Sequence, residues 1–330
     1  MSKLRVGVMS TYGECCGISA YLERMLLAMD PETIEVTLLH NIPFRGVPAA
    51  SASCTVRALP VFKVTIWTND VFFDESAALA AISDVDVLHI QFESSIYYRQ
   101  WMLPFIDKVR AMGIRVLVTV HSCLWPEMYG RAHRFISHSP ELAKQLSGIY
   151  LPMPIPVTKY RPLSSNRIVS FGLGRNEDGM VLEAMKRIHM PSTTPYLSFQ
   201  PLYGHNAWRS NDELVDALYD SRMITLLYPP IGTEVRSSSA AFALGISRPL
   251  VVTDTTWFRT VLDVFGRTGV WGVYAADNIG TLVSVIQDVL KLDDIEMEAR
   301  FDMRIAAARQ ERMTLEQVVE SHMNLYRSMT

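Results

Sequence analysis

Three loops in this sequence gather residue types that suit an anion. The first, residues 10–19, runs Ser10-Thr11-Tyr12-Gly13-Glu14-Cys15-Cys16-Gly17-Ile18-Ser19 into a helical pattern, so that N–H groups near Gly17 and the helix dipole would favour negative charge. It lacks the G-x-G-x-x-G spacing of a dinucleotide fingerprint, and a tight βα turn accounts for it equally well. The second, residues 170–179, joins a strand to a helix and carries Arg175. The planar guanidinium of that residue suits a diphosphate; the alternative is an ordinary surface arginine. The third, residues 228–239, ends in Ser237, Ser238 and Ser239 at a helix start, where hydroxyls and N–H groups can hold phosphate, although one serine would suffice as an N-cap. Glu234, just ahead of them, suits a sugar hydroxyl rather than the phosphate, which like charge would repel.

A second set of candidates lies at strand ends. His89, Gln91 and Glu93 alternate, so they share one face at the carboxyl end of a strand. Glu93 would there orient a substrate or accept a proton; the alternative is a buried polar network holding strands and loop together. His121 follows an apolar strand at a position suited to a transferred sugar or phosphate, or to a structural role. His138 and Ser139 repeat the pattern, with His138 read as a helix cap or a local packing residue. Tyr97, Tyr98, Arg99 and Trp101 read as the buried face of a helix, or else as an acceptor wall. Neither an H-E-x-x-H motif nor a paired-cysteine motif occurs, so no metal and no resident cofactor are expected.

These residues must be positioned by a repeating α/β chain. Strands are expected at 5–10, 34–40, 63–67, 86–91, 115–120 and 134–137, with helices from 18 to 29 and at 75–82, 96–112 and 140–146. The run Leu151-Pro152-Met153-Pro154-Ile155-Pro156 cannot sustain a helix or a central strand and reads as a linker. The alternation then resumes, with strands at 167–171, 196–200, 223–228, 249–253 and 269–274. Helices are expected at 179–188, 211–220, 238–244, 279–290, 295–309 and 315–329. Strands separated by helical crossovers imply parallel sheets covered on both faces. Domains are expected over residues 1–152 and 153–310, consistent with 330 residues and 49% hydrophobic content. The four cysteines match neither a zinc site nor a disulfide framework, and neither a signal peptide nor a span of about 20 apolar residues is evident. A cytoplasmic protein is expected. The net charge of -3 does not suggest nucleic acid as an obligatory partner.

Several of these segments resemble retaining GT-B glycosyltransferases of family four. Cys16-Gly17-Ile18-Ser19-Ala20-Tyr21 is similar to the CGIATY opening of one branch, and the stretch from Asp86 to Glu93 to its PDVVHIQHE strand. Val118-Thr119-Val120-His121 resembles VTLH, residues 170–179 resemble SFGxxRxxKG, and residues 243–254 resemble ALGAGRPVVATD. The resemblance implies a GT-B fold, in which two Rossmann-like domains with parallel sheets face a central cleft, the first on the acceptor side and the second on the donor side. Residues 311–330 would form a helix returning to the first domain. It implies that Gly17 lies near the donor diphosphate, that His121 approaches the donor sugar, that Arg175 binds the diphosphate and that Glu234 contacts the sugar. The co-substrate would be a nucleotide sugar, used without a metal. The acceptor would by default be a saccharide or lipid-linked saccharide, with peripheral membrane contact allowed and nucleic acid a remoter choice.

Two positions depart from the family pattern. The lysine of its KG pair is Asp178 here, and its second glutamate, eight residues after Glu234 and typically bound to the ribose, is Phe242. Exchanging a cation for an anion beside a diphosphate would cost several kcal/mol unless the loop turns away or Arg236 substitutes. These departures leave a non-catalytic homologue that binds nucleotide or supports a partner enzyme as the second reading. A nucleotide-sugar epimerase is a third.

Overall fold

The computed structural model describes residues 3–13, 16–42, 56–64, 71–121, 123–172, 178–190, 196–199, 211–228, 238–273 and 279–330. They form two compact units, Met1–Met153 with Leu315–Thr330, and Pro154–Thr314. No described helix is long and apolar enough to cross a membrane.

The first unit is built on a seven-stranded parallel sheet of order β3-β2-β1-β4-β5-β6-β7. Its strands are β1 (Leu4–Ser10), β2 (Ile34–Asn41), β3 (Val56–Phe62), β4 (Val87–Phe92), β5 (Arg115–Val120), β6 (Arg134–Ser137) and β7 (Ile149–Tyr150). The described helices of this unit are α1 (Gly17–Ala28), α2 (Glu75–Ala81), α3 (Arg99–Ala111), α4 (Pro140–Gln145) and, from the end of the chain, α11 (Leu315–Met329). Strand β4 is buried along its whole length and β1 and β5 almost so, as parallel strands covered on both faces must be.

Strand β3 departs from expectation. It occupies Val56–Phe62, whereas Lys63 and Val64 lie beyond it and the rest of the expected strand falls outside the described residues. Pro60 is tolerated because β3 is the edge strand, paired with β2 on one side only. Its half-exposed first residues hide the apolar pattern. Helix α3 begins at Arg99 rather than at residue 96, because Ser94, Ser95 and Ile96 form a turn and Tyr98, the N-cap, is extended. Tyr97 is buried and Trp101 stacks on Phe73 at 4.1 Å between ring centroids, so these residues are core rather than an acceptor wall.

The second unit carries a five-stranded parallel sheet of order β12-β11-β10-β8-β9. Its strands are β8 (Arg167–Phe171), β9 (Tyr196–Phe199), β10 (Ser221–Leu226), β11 (Leu250–Thr253) and β12 (Val270–Val273). The described helices are α5 (Asp178–Arg187), α6 (Asn211–Tyr219), α7 (Ser238–Leu244), α8 (Thr256–Phe265), α9 (Ile279–Lys291) and α10 (Asp294–Gln310). Helix α8 was not anticipated, although Phe258, Leu262 and Phe265 recur at helical spacing.

Buried arginines tie this unit together. Arg304, 2% exposed, donates from Nε to Thr268 O at 3.1 Å, from Nη1 to Ile246 O at 3.3 Å and Arg248 O at 3.0 Å, and from Nη2 to Gly269 O at 2.9 Å. Arg248, 1% exposed, donates to the carbonyls of Arg161, Pro162, Tyr219 and Ser247. Guanidinium groups suit this work because a rigid fork of N–H donors can satisfy several loop carbonyls at once.

Candidate functional site

In an open parallel sheet, ligands sit outside the carboxyl ends of the strands where the strand order reverses. In the first unit that point lies between β1 and β4. Tyr97 fastens it: its hydroxyl lies 3.1 Å from both Met9 O and Gln91 O, and burial pushes its pKa well up, so it remains a donor. The β1 loop turns at Gly13, with φ of +69°, and enters α1 at Gly17. The N-cap is Cys16, whose Sγ accepts from Ser19 N at 3.4 Å and lies 3.3 Å from Thr11 Oγ1. Gly17 thus opens a twelve-residue helix at the switch point, the position where the dipole favours an anion.

Beside it runs a chain of polar rings. His121 follows β5; its backbone N–H donates to Phe92 O at 2.9 Å and its Nε2 lies 2.7 Å from Gln91 Oε1. Gln91 Nε2 lies 3.2 Å from His89 Nε2, which is also 2.7 Å from Thr119 Oγ1. His89 Nδ1 lies 2.6 Å from Tyr326 Oη on α11. A second brace joins Tyr21 Oη to His322 Nε2 at 3.4 Å, with His322 Nδ1 donating to Val318 O at 2.8 Å. Tyr21 also packs edge-on against His121 and His138, with centroids 5.7 and 5.3 Å apart.

Burial holds these imidazoles neutral. Desolvation is the largest cause of the downward pKa shift at His89, His121 and His322; neighbouring histidines lower the first two further. For His322 the value falls to about 4.

The structure therefore brings His89, Gln91 and His121 together. Glu93 stands one residue past β4, and its Oε1 accepts from Ser95 N at 3.4 Å and Ser95 Oγ at 3.3 Å, in the turn that follows. Ser139 rather than His138 caps α4, accepting from Leu142 N at 3.2 Å. His138 Nδ1 instead bonds Leu151 O at 2.8 Å. The sequence reading missed Tyr21, Thr119, His322 and Tyr326. His322 and Tyr326 stand one helical turn apart on the apolar face of α11, and that spacing was the available signal. It also passed over Asp84-Val85-Asp86, which has the D-x-D form. This pair lies at the amino end of β4, away from the carboxyl edge, and Asp86 there accepts from the backbone N–H and guanidinium of Arg5. Among the described residues no three His, Cys, Asp or Glu side chains are grouped to hold a metal ion.

In the second unit the strand order reverses between β8 and β10. Two of the expected phosphate loops follow those two strands. Arg175, Glu234, Ser237 and Arg236 lie outside the described residues; Gly172, Ser238 and Ser239 lie inside them. Gly172 has φ of +109°, and a Cβ built there would stand 2.8 Å from Ser239 Oγ and 3.1 Å from Tyr228 Oη. The end of β8 and the start of α7 are therefore in close contact, and the positive φ favours glycine there. Gly172→Ala should cost about 1–3 kcal/mol in urea melts through backbone strain and that collision. A loss below about 0.5 kcal/mol would contradict the close approach.

Asp178 is the first residue of α5. Phe242 is buried and meets Phe171 edge-on at 6.1 Å. The position that resembles a ribose-binding glutamate is thus occupied by a core aromatic.

No family model matches this sequence, and no curated protein is similar to it in sequence. Solved structures do resemble it in fold. A glycosyltransferase from Rickettsia africae superposes with a TM-score of 0.67 at 8% identity, over 100% of this chain and 99% of its own. An alpha-glucosyltransferase in complex with UDP and a 13-mer DNA containing an A:G mismatch gives 0.65 at 14%, over 92% and 95%. HepE of Anabaena, in complex with UDP and glucose, gives 0.64 at 9%, over 98% and 100%. The fold is GT-B, with two Rossmann-like units on parallel sheets of seven and five strands.

Proposed function

We propose that the chain is a glycosyltransferase that transfers a sugar from a nucleotide donor to an acceptor, with retention and without a metal. One observation carries the reading. At the β8–β10 switch point, Gly172 at the end of β8 lies against Ser239 in the serine-rich start of α7. That is where a GT-B fold would need to hold a diphosphate. Arg175, with the hydroxyls and N–H groups of Ser237, Ser238 and Ser239, would stabilise the charge that grows on the departing nucleoside diphosphate. Glu234 would hold a sugar hydroxyl, His121 would face the transferred sugar, and Gly17 would lie near the diphosphate.

The acceptor in this reading is a saccharide or lipid-linked saccharide. UDP is the first donor nucleotide to try, since two proteins of similar fold hold it, one with glucose and one with DNA. The test is a panel of nucleotide sugars incubated with the purified protein and followed for release of nucleoside diphosphate. Turnover without added divalent ion is expected, and Arg175→Ala should weaken nucleotide binding by about 10-fold to 100-fold, the worth of a charge-assisted contact.

Phe242 favours a second reading. Its packing on Phe171 removes the carboxylate that family resemblance assigns to the ribose, as expected of a homologue that binds nucleotide without transferring sugar. Tight nucleotide binding with no turnover across the panel would select that reading.

A further inference from the structure

The hydrogen-bond chain through the first unit has a direction. The amide of Gln91 places its Nε2 against His89 Nε2 and its Oε1 against His121 Nε2. An amide nitrogen donates and an amide oxygen accepts. His89 Nε2 must then be a bare acceptor, accepting hydrogen bonds from Gln91 Nε2 and from Thr119 Oγ1 at 2.7 Å. The proton of neutral His89 therefore sits on Nδ1, where it is donated to Tyr326 Oη at 2.6 Å. At the other end His121 must carry its proton on Nε2 to reach Gln91 Oε1 at 2.7 Å, which leaves its Nδ1 as the bare nitrogen. Every link lies within the first unit, although Tyr326 stands 237 residues from His89 in sequence.

We propose that Tyr326, His89 and Gln91 are positioning residues that fix which nitrogen of His121 is protonated, so that the final helix governs the imidazole facing the transferred sugar. The sugar-facing role of His121 rests on the transferase reading; the relay itself does not. Tyr326 holds this direction because its hydroxyl, able to donate or accept, accepts here from His89 Nδ1–H while Gln91 occupies the bare Nε2. Without that acceptor, His89 gains most by moving its proton to Nε2 and donating to Thr119 Oγ1. Gln91 must then turn its oxygen toward His89 and its nitrogen toward His121. His121 Nε2 becomes an acceptor, and its proton moves to Nδ1. One hydroxyl on α11 thus inverts two imidazoles and one amide.

The test uses the full chain labelled with 15N-histidine. Two-bond proton–nitrogen correlation separates protonated from bare ring nitrogens; His89→Gln and His121→Gln assign the resonances. Wild type should show His89 protonated at Nδ1 and His121 at Nε2. Tyr326→Phe, with its fold checked by circular dichroism, should invert both. His89 protonated at Nε2 in wild type would overturn the relay, and that result needs no variant to fold. An unchanged His121 tautomer in folded Tyr326→Phe would overturn it as well. If donor turnover is found, Tyr326→Phe should lower kcat about 10-fold or more, as a wrong catalytic tautomer does, with nucleotide affinity unchanged. An inactive protein that shows the stated tautomers would remove the transferase reading and leave the relay standing.

Discussion

Replacing Arg304 by methionine is expected to destabilise the second unit by about 2–6 kcal/mol, the cost of two buried carbonyls left without a donor. The side chain is 2% exposed and satisfies the carbonyls of Ile246, Arg248, Thr268 and Gly269, with no described carboxylate ion-paired to it. Burial lowers its pKa to about 9, so it remains charged at neutral pH. Methionine keeps much of the volume but none of the donors, so Arg248 O and Thr268 O lose this partner in a dry interior, while Ile246 O and Gly269 O keep the backbone N–H groups of Arg248 and Leu250. Lysine keeps the charge yet cannot reproduce a planar fork that reaches four acceptors, so Arg304→Lys should recover only part of the loss. Since a domain is stable by only about 5–15 kcal/mol, the methionine variant should melt far below wild type or fail to accumulate. Urea denaturation gives the number. A loss under about 1 kcal/mol would mean that water reaches these carbonyls.

Acid should act on the other unit. His322 is held neutral to about 4, below its ordinary value of 6.5, because burial penalises its charged form. His89 and His121 are depressed for the same first cause. A histidine depressed on folding binds fewer protons in the folded state than in the unfolded one. Above pH 6.5 both states are neutral at these sites, and stability is insensitive to pH. As pH falls from 6.5 toward 4 the unfolded chain takes up protons that the folded unit refuses, and stability drops. His322 alone accounts for roughly 3 kcal/mol over that window. His89 and His121 add to the loss with the same sign. Urea melts at pH 8, 6.5 and 5 should show little change in the first interval and a steep fall in the second, and His322→Gln should flatten the fall. A stability that is level from pH 6.5 to 5 would contradict the dry, neutral cluster.

Much of this architecture is legible in the sequence, for identifiable reasons. Strands buried on both faces read as apolar runs, so β4 and β5, and the polar residues at their ends, stand out. Helix α11 declares itself by periodicity. What a single sequence conceals is pairing at a distance: nothing near His89 points to Tyr326. Strand β3 is obscured because an edge strand tolerates Pro60 and solvent, which removes the pattern that marks its neighbours. Arg248 reads only as one letter of a resembling motif, whereas its buried bonds make it a structural brace. Phe242 is conspicuous as a departure from the family pattern, but that its ring fills the core against Phe171 needed coordinates.

The most direct test follows backbone amide resonances while UDP is titrated into the full chain without divalent ions. The proposal requires the largest perturbations at Gly172, Ser238 and Ser239, and requires Arg175→Ala to shift them to UDP concentrations about 10-fold to 100-fold higher. Saturating UDP that leaves those three amides unmoved, or moves them only once magnesium is added, would contradict a metal-free diphosphate site between the ends of β8 and β10.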